Sequence, residues 1–176
     1  TVENVKSGAY GISRPFNIAT KAEVSEVAQD FIDFIMSSDG QKVVEEAGCI
    51  PQETSGAYAG SKPSGKIVVA GSSSVTPVMQ KLKEAYLAVN PNAEIEIQES
   101  DSTTGMTAAA DGTCDIGMAS RELEDSEKDK GLTSQAIALD GIAVIVNTQN
   151  DRTDISTDMV KKIFTGEVTD WNDVTE

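Results

Sequence analysis

The sequence predicts an α/β fold, a mostly parallel sheet with helices on both faces. Three observations lead there. Short apolar runs such as Ile67–Ala70 and Ile142–Val146 lack polar alternation, as strands covered on both sides do. Between such runs, apolar residues recur every three or four positions, the spacing of helices packed on a sheet. Hydroxyl-rich turns follow two of the strands directly, where the first N–H groups of a helix need partners. With 176 residues, 39% apolar and 24% charged, the chain has the length and composition of one globular domain.

The elements follow in order. Thr1 reads as an N-cap for a short helical turn that Ser7-Gly8 ends. A chain that begins inside an element suggests a piece excised from a longer polypeptide. After Arg14-Pro15, Phe16–Thr20 reads as a strand. Val24, Val27, Ala28, Phe31, Ile32 and Ile35 mark a helix, broken at Ser38-Asp39-Gly40 and followed by a shorter one from Gln41 to Ala47. Gln52–Gly65 is rich in Gly, Ser and Ala without periodicity, which is linker composition. Ile67–Ala70 is a strand, and Val75, Val78, Met79, Leu82, Tyr86 and Val89 line a helix that Asn90-Pro91 ends. Ile95 and Ile97 mark a strand, Thr104–Asp111 a small helix, Asp115–Ala119 a strand and Ile142–Val146 another. Ser156 caps a helix through Val160, Ile163 and Phe164. The charged run Glu122–Lys130 reads as a solvated face, and Trp171 as a local packing anchor. No internal repeat is present.

Several function classes fall away. The chain has no histidine, which removes Ser-His-Asp and Cys-His catalysis and His-bearing zinc sites. A net charge of −15 argues against nucleic acid and against a polybasic membrane patch. No apolar run is long enough to span a bilayer, and the first ten residues lack the pattern of a signal peptide. Cys49 and Cys114 form no CxxC pair and are expected to be free thiols. No GxSxG, P-loop, HExxH or EF-hand pattern occurs, so no metal, cofactor or catalytic set is expected.

The informative turns are Gly71-Ser72-Ser73-Ser74-Val75-Thr76-Pro77 and Ser100-Asp101-Ser102-Thr103-Thr104-Gly105. Each sets hydroxyls at a helix start, where orphaned N–H groups favour an anion. Pro77 suits a first helical turn, where its missing N–H costs nothing. If the preceding strands are parallel, both turns open on one edge of the sheet, where open α/β sheets hold ligands. Simple N-capping by one serine is the plainer reading of either turn alone. Ser120-Arg121 follows a strand and reaches the same edge; Arg121 either donates a fork to an oxyanion or pairs with Glu122 or Glu124. Asp140 either accepts a proton from a ligand oxygen or serves an Asp-Gly turn, the more usual role.

These residues carry a family resemblance. VAGSSSVTP at 69–77, QESDSTTG at 98–105, CDIGMASREL at 114–123, IALDGIAVIVN at 137–147 and IFTGEVTDW at 163–171 resemble the N-terminal part of the phosphate-binding proteins that feed ABC transporters. Those proteins have the class II periplasmic-binding-protein fold. TVENVKSGAYGISRPFNI and FIDFIMSSDGQKVVEEAGCIP, at the start of the chain, resemble the C-terminal end of the same family. The order is thus inverted, as in an engineered permutation or in a slice across tandem copies. The resemblance implies one lobe, built from residues 1–54, a linker at 55–65 and residues 66–176.

It also implies binding of inorganic phosphate by Ser73, Ser74, Ser102, Thr103 and Ser120. Where many relatives place a carboxylate to accept the anion's proton, this chain has Arg121, with Asp140 as substitute candidate. An ABC permease is the implied partner, and the implied location is outside the cytoplasmic membrane. Receptors for sulfate or molybdate, a sensory or adhesive module and, last, an enzyme are the alternatives.

Overall fold

Alternation along the strands sets the layers. In the computed structural model, which describes residues 2–174, strand β3 (Gly65–Ser72) sends Ile67 and Val69 to one apolar cluster and Val68 and Ala70 to another. Strand β5 (Ile116–Ala119) divides likewise, Ile116 and Met118 against Ala119. Strand β1 (Ser13–Thr20) gives Phe16 and Ile18 to the first cluster and Ala19 to the second. Period-two alternation in adjacent strands makes the clusters the two faces of one sheet.

That sheet has six strands in the order β2-β6-β1-β5-β3-β4, with β2 at Ile50–Pro51, β4 at Ala93–Ser100 and β6 at Thr133–Gly141. The expected parallel pairing holds for β3 with β4 and for β3 with β5. β1 with β5 and β2 with β6 are antiparallel, so the sheet is mixed.

Helices cover both faces. α2 (Glu26–Met36), α3 (Ser38–Glu46) and α4 (Thr76–Val89) pack on the first cluster, and α5 (Ser102–Asp111) on the second. Ser25 caps α2 by accepting from Ala28 N, and Ser37 both ends α2 and caps α3. Phe31, Ile32 and Ile35 lie in one cluster with Ile67, Val69, Ile116 and Met118, so residues before and after the joining segment share a core.

The described chain sorts into two compact units, Arg14–Gly141 and the residues up to Ser13 with those from Ile142 onward. The segment Gln52–Ser64 has no regular structure, as its composition predicts, yet it is docked. Tyr58 N donates to Asp39 Oδ2 (2.9 Å), while Tyr58 Oη (2.6 Å) and Ser61 N (3.1 Å) donate to the Asp30 carboxylate. Tyr86 Oη adds a third bond to Asp30 (2.7 Å), and the Tyr58 and Phe34 rings meet edge to face. One tyrosine supplies apolar area and a polar tip that a Gly/Ser tether lacks.

The smaller unit holds α1 (Val2–Lys6), α7 (Thr157–Phe164, capped by Ser156) and a 3-10 turn at Trp171–Asp173. Tyr10 Oη donates to Ile142 O (2.6 Å) and Ile142 N to Ile12 O (3.0 Å).

Four readings change. Ile142–Val146 is not a strand: β6 ends at Gly141, and the run beyond it is exposed, Ile145 to 88%. An apolar run becomes a strand only where a neighbour bonds its backbone, and here the described pairing ends at Ile142. Asp140-Gly141 lies inside β6, so the turn reading fails. Glu122–Lys130 is not wholly solvated, since Leu123 and Glu127 are buried around the short α6 (Asp125–Lys128). Trp171 is 47% exposed rather than a packed anchor. The Thr1 cap lies outside the described residues.

Both cysteines are free, Cys49 half-buried and Cys114 buried. Burial pushes the Cys114 thiol up to about 11, and raises Cys49 as well. Since the thiolate is the reactive form, alkylation of the native protein should modify Cys49 first and Cys114 only on unfolding. Equal rates at both, read by mass spectrometry, would contradict the burial.

Candidate anion-binding site

Three loops meet at the edge where β3, β4 and β5 end. Ser73 N donates to Ser100 O (2.9 Å), tying the loop after β3 to the end of β4. Ser120 N donates to Ser102 Oγ (3.1 Å), tying the loop after β5 to the first turn of α5. Two glycines allow this closeness. A Cβ on Gly105 would lie 2.5 Å from Gly71 Cα and 2.7 Å from Ala70 O, and Gly71 has φ +134°, a backbone glycine adopts without strain.

The structure therefore brings Ser73, Ser74, Ser102, Thr103, Ser120 and Arg121 to one edge, all within Arg14–Gly141. No side chain caps α4, so its first N–H groups are not consumed by a serine, as plain N-capping would require. Pro77 sits in its first turn as expected. Ser73 and Thr103 are exposed, and Ser74, Ser102 and Ser120 half-buried, so the cradle is an open face.

The second turn differs from the first. Asp101 is the N-cap of α5: its carboxylate accepts from Thr104 N (2.9 Å) and Thr104 Oγ1 (2.6 Å), bonds that favour the charged form and hold its pKa below the ordinary aspartate range. An anion already occupies part of that helix terminus.

Arg121 is not an unengaged fork. Its Nη1 and Nη2 donate to the two oxygens of Glu127 (2.9 and 2.8 Å), Nη1 also to Glu122 O (2.9 Å) and Nη2 to Thr103 Oγ1 (3.1 Å). Glu124 lies 3.4 Å away, so the ion-pair reading holds, with Glu127 as the main partner. The guanidinium in turn keeps Glu127 below the usual carboxylate range. Asp140 is paired too, accepting from Arg14 Nε (2.9 Å) on β6, which β1 separates from β5.

Sequence reasoning missed Asn17 and Glu127. Asn17, 2% exposed on β1, donates from Nδ2 to Arg121 O (2.9 Å) and so fixes the third loop. Glu127 was legible in principle as the last member of Glu124-x-x-Glu127, a capping-box spacing that turns its carboxylate back onto the Glu124 N–H.

A family model described as a PBP superfamily domain matches residues 56–176. The chain belongs to the PBP superfamily. As a superfamily member it is 56% identical over 177 residues to a phosphate-binding protein, PstS 2, of Streptococcus agalactiae, a match covering 100% of this chain and 60% of that protein. It thus spans about 60% of that curated relative's length.

Such an end-to-end match means that this relative carries the two segments in the order found here. The order of the two segments is thus shared with that relative. The crystal structure of a phosphate-binding protein of a phosphate ABC transporter from Streptococcus pneumoniae superposes with TM-score 0.93 at 43% identity, over 99% of this chain and 68% of that one. A putative phosphate ABC transporter substrate-binding protein from Clostridium perfringens, with bound phosphate, matches at TM-score 0.54 and 39% identity, over 61% and 44%.

Proposed function

We propose that this chain supplies an inorganic-phosphate-binding cradle to a solute receptor that serves an ABC permease outside the cytoplasmic membrane, and that it is a binding module rather than an enzyme. The observation that carries this is the junction of three loops through Ser73 N to Ser100 O and Ser120 N to Ser102 Oγ. It gathers hydroxyls and helix N–H groups on one open edge, with the first turn of α4 uncapped by any side chain. Support comes from relatives named as phosphate-binding proteins and from one whose structure holds phosphate. Among the described residues no helix is long and apolar enough to cross a membrane.

The ligand contacts are assigned to Ser73, Ser74, Ser102, Thr103 and Ser120, with Arg121 behind them. Further contacts come from parts of the full-length protein outside this chain. An open cradle leaves each donor competing with water, so each hydrogen bond is worth about 1 kcal/mol. A handful of these, set against an association cost of at least about 4 kcal/mol, leaves almost nothing, so binding is expected to be millimolar or weaker. NMR titration with phosphate should shift the amides of Ser73, Ser74, Ser102 and Ser120 first, and Ser102→Ala should weaken the response several-fold. Micromolar affinity, or shifts confined to other loops, would defeat the cradle assignment.

A further inference from the structure

Exposed apolar side chains are concentrated in one part of the molecule. Of the eight large ones exposed among the described residues, seven lie in the smaller unit, and the eighth is Val89. Neither apolar cluster of the sheet includes a residue of that unit. Its buried apolar side chains are Met159 and Val174. Burial of apolar area is what holds a folded unit together, and this one has the surface without the core.

The run Ile142–Val146 shows what is missing. Val144 and Val146 line a groove of about 280 Å³ with Tyr10, Ile12, Ile155 and Trp171, whereas Ile145 is 88% exposed. Successive residues thus face opposite sides, as they do along a strand. Both sides are apolar, the pattern of a strand covered on both. Ile142 N donates to Ile12 O (3.0 Å), and no backbone bond follows through Val146 among the described residues. β-Branched side chains and an unpaired backbone together make a template for one more strand.

From this we infer that the smaller unit is a half-built core, and that an apolar, strand-forming segment of the same polypeptide beyond this chain completes it. There Ile142–Val146 becomes a strand and Ile145 is covered. The chain spans 60% of the Streptococcus agalactiae relative and 68% of the Streptococcus pneumoniae structure, so a substantial share of such a protein lies outside it. A segment tethered in the same molecule meets the groove at a high effective concentration. A second copy of this chain lacks that advantage and brings another net charge of −15 against the first. The inference is independent of the anion-binding reading, and neither stands or falls with the other.

The test is amide hydrogen exchange, read by NMR, on the full-length protein and on this chain. The amides of Val144, Ile145 and Val146 should exchange at least about a hundredfold more slowly in the full-length protein, as paired core strands do relative to loops. Ile145→Lys places an unpaired charge on the covered face, so it should lower the Tm of the full-length protein by about 5 °C or more and that of this chain by less than about 1 °C. A full-length variant that fails to fold, while the variant chain folds normally, is that same result at its extreme.

Equal exchange in the two proteins, fast in both or slow in both, would overturn the inference. So would slow exchange in this chain together with a dimer in light scattering, which would make a second copy the occupant. An Ile145→Lys effect no larger in the full-length protein than in this chain would overturn it as well.

Discussion

Asp30→Ala is expected to be among the most destabilising single substitutions in the chain. The carboxylate is 6% exposed and accepts from Tyr58 Oη, Tyr86 Oη and Ser61 N, with no ion pair to a cation among the described residues. Alanine removes every carboxylate acceptor at once and leaves the fully buried Tyr86 hydroxyl, which accepts from Asn90 Nδ2, without the carboxylate it donates to. An orphaned buried polar group costs about 1–3 kcal/mol, and the joining segment loses its anchor as well, so a loss of about 3–5 kcal/mol is expected. At about 2–4 °C per kcal/mol for a chain of this size, Tm should fall on the order of 10 °C.

The same cluster sets an alkaline limit. Burial, reinforced by Asp30, pushes the Tyr86 phenol up to about 12 and raises that of Tyr58 as well. An unfolded chain releases these protons near pH ~10, so their contribution is whole below that pH and is lost as the pH climbs toward the folded value. Phenolate absorbance should therefore show at least two of the three tyrosines titrating late in native protein. A Tm change under about 3 °C in Asp30→Ala, on the scale just given, would contradict the account.

Gly105→Ala is expected to damage stability and anion binding together. The new Cβ would meet Gly71 Cα at 2.5 Å, Ala70 O at 2.7 Å and Met118 O at 3.0 Å, all backbone atoms of strands β3 and β5. None can rotate away as a side chain would, so α5 must lift from the sheet. Overpacking of this kind costs about 1–3 kcal/mol or more. Lifting α5 also parts Ser102 from Ser120 N, the bond that closes the cradle. Denaturant unfolding should give the first effect, and loss of the phosphate-induced amide shifts the second. Wild-type stability with wild-type shifts would show that α5 does not need this close approach.

Much of this was legible in the residues, for reasons that differ from element to element. Phe31, Ile32 and Ile35 announce a buried helix face because spacing is a local property. The serine-rich turns after β3 and β4 are legible because a helix start needs partners for its N–H groups wherever it stands. Ile142–Val146 was misread because an apolar run is silent about whether a neighbouring strand exists. The partners of Arg121 and Asp140, Glu127 and Arg14, were not legible because tertiary packing fixes them. A charge run such as Glu122–Lys130 does not say which of its members turns inward.

The docking of Tyr58 and Ser61 on Asp30 ties the order of the polypeptide to its energetics. A chain with its termini moved into residues 55–65, beginning at the strand and finishing at the helices, would leave that carboxylate with fewer donors. It would also turn a tethered encounter, with the high effective concentration of a short linker, into one that closes only through the rest of the protein. Residue 30 would then favour a neutral or apolar side chain. One buried aspartate therefore makes the connection at residues 52–64 part of the energetics of the core it joins, and circular rearrangement of this sequence would weaken that part.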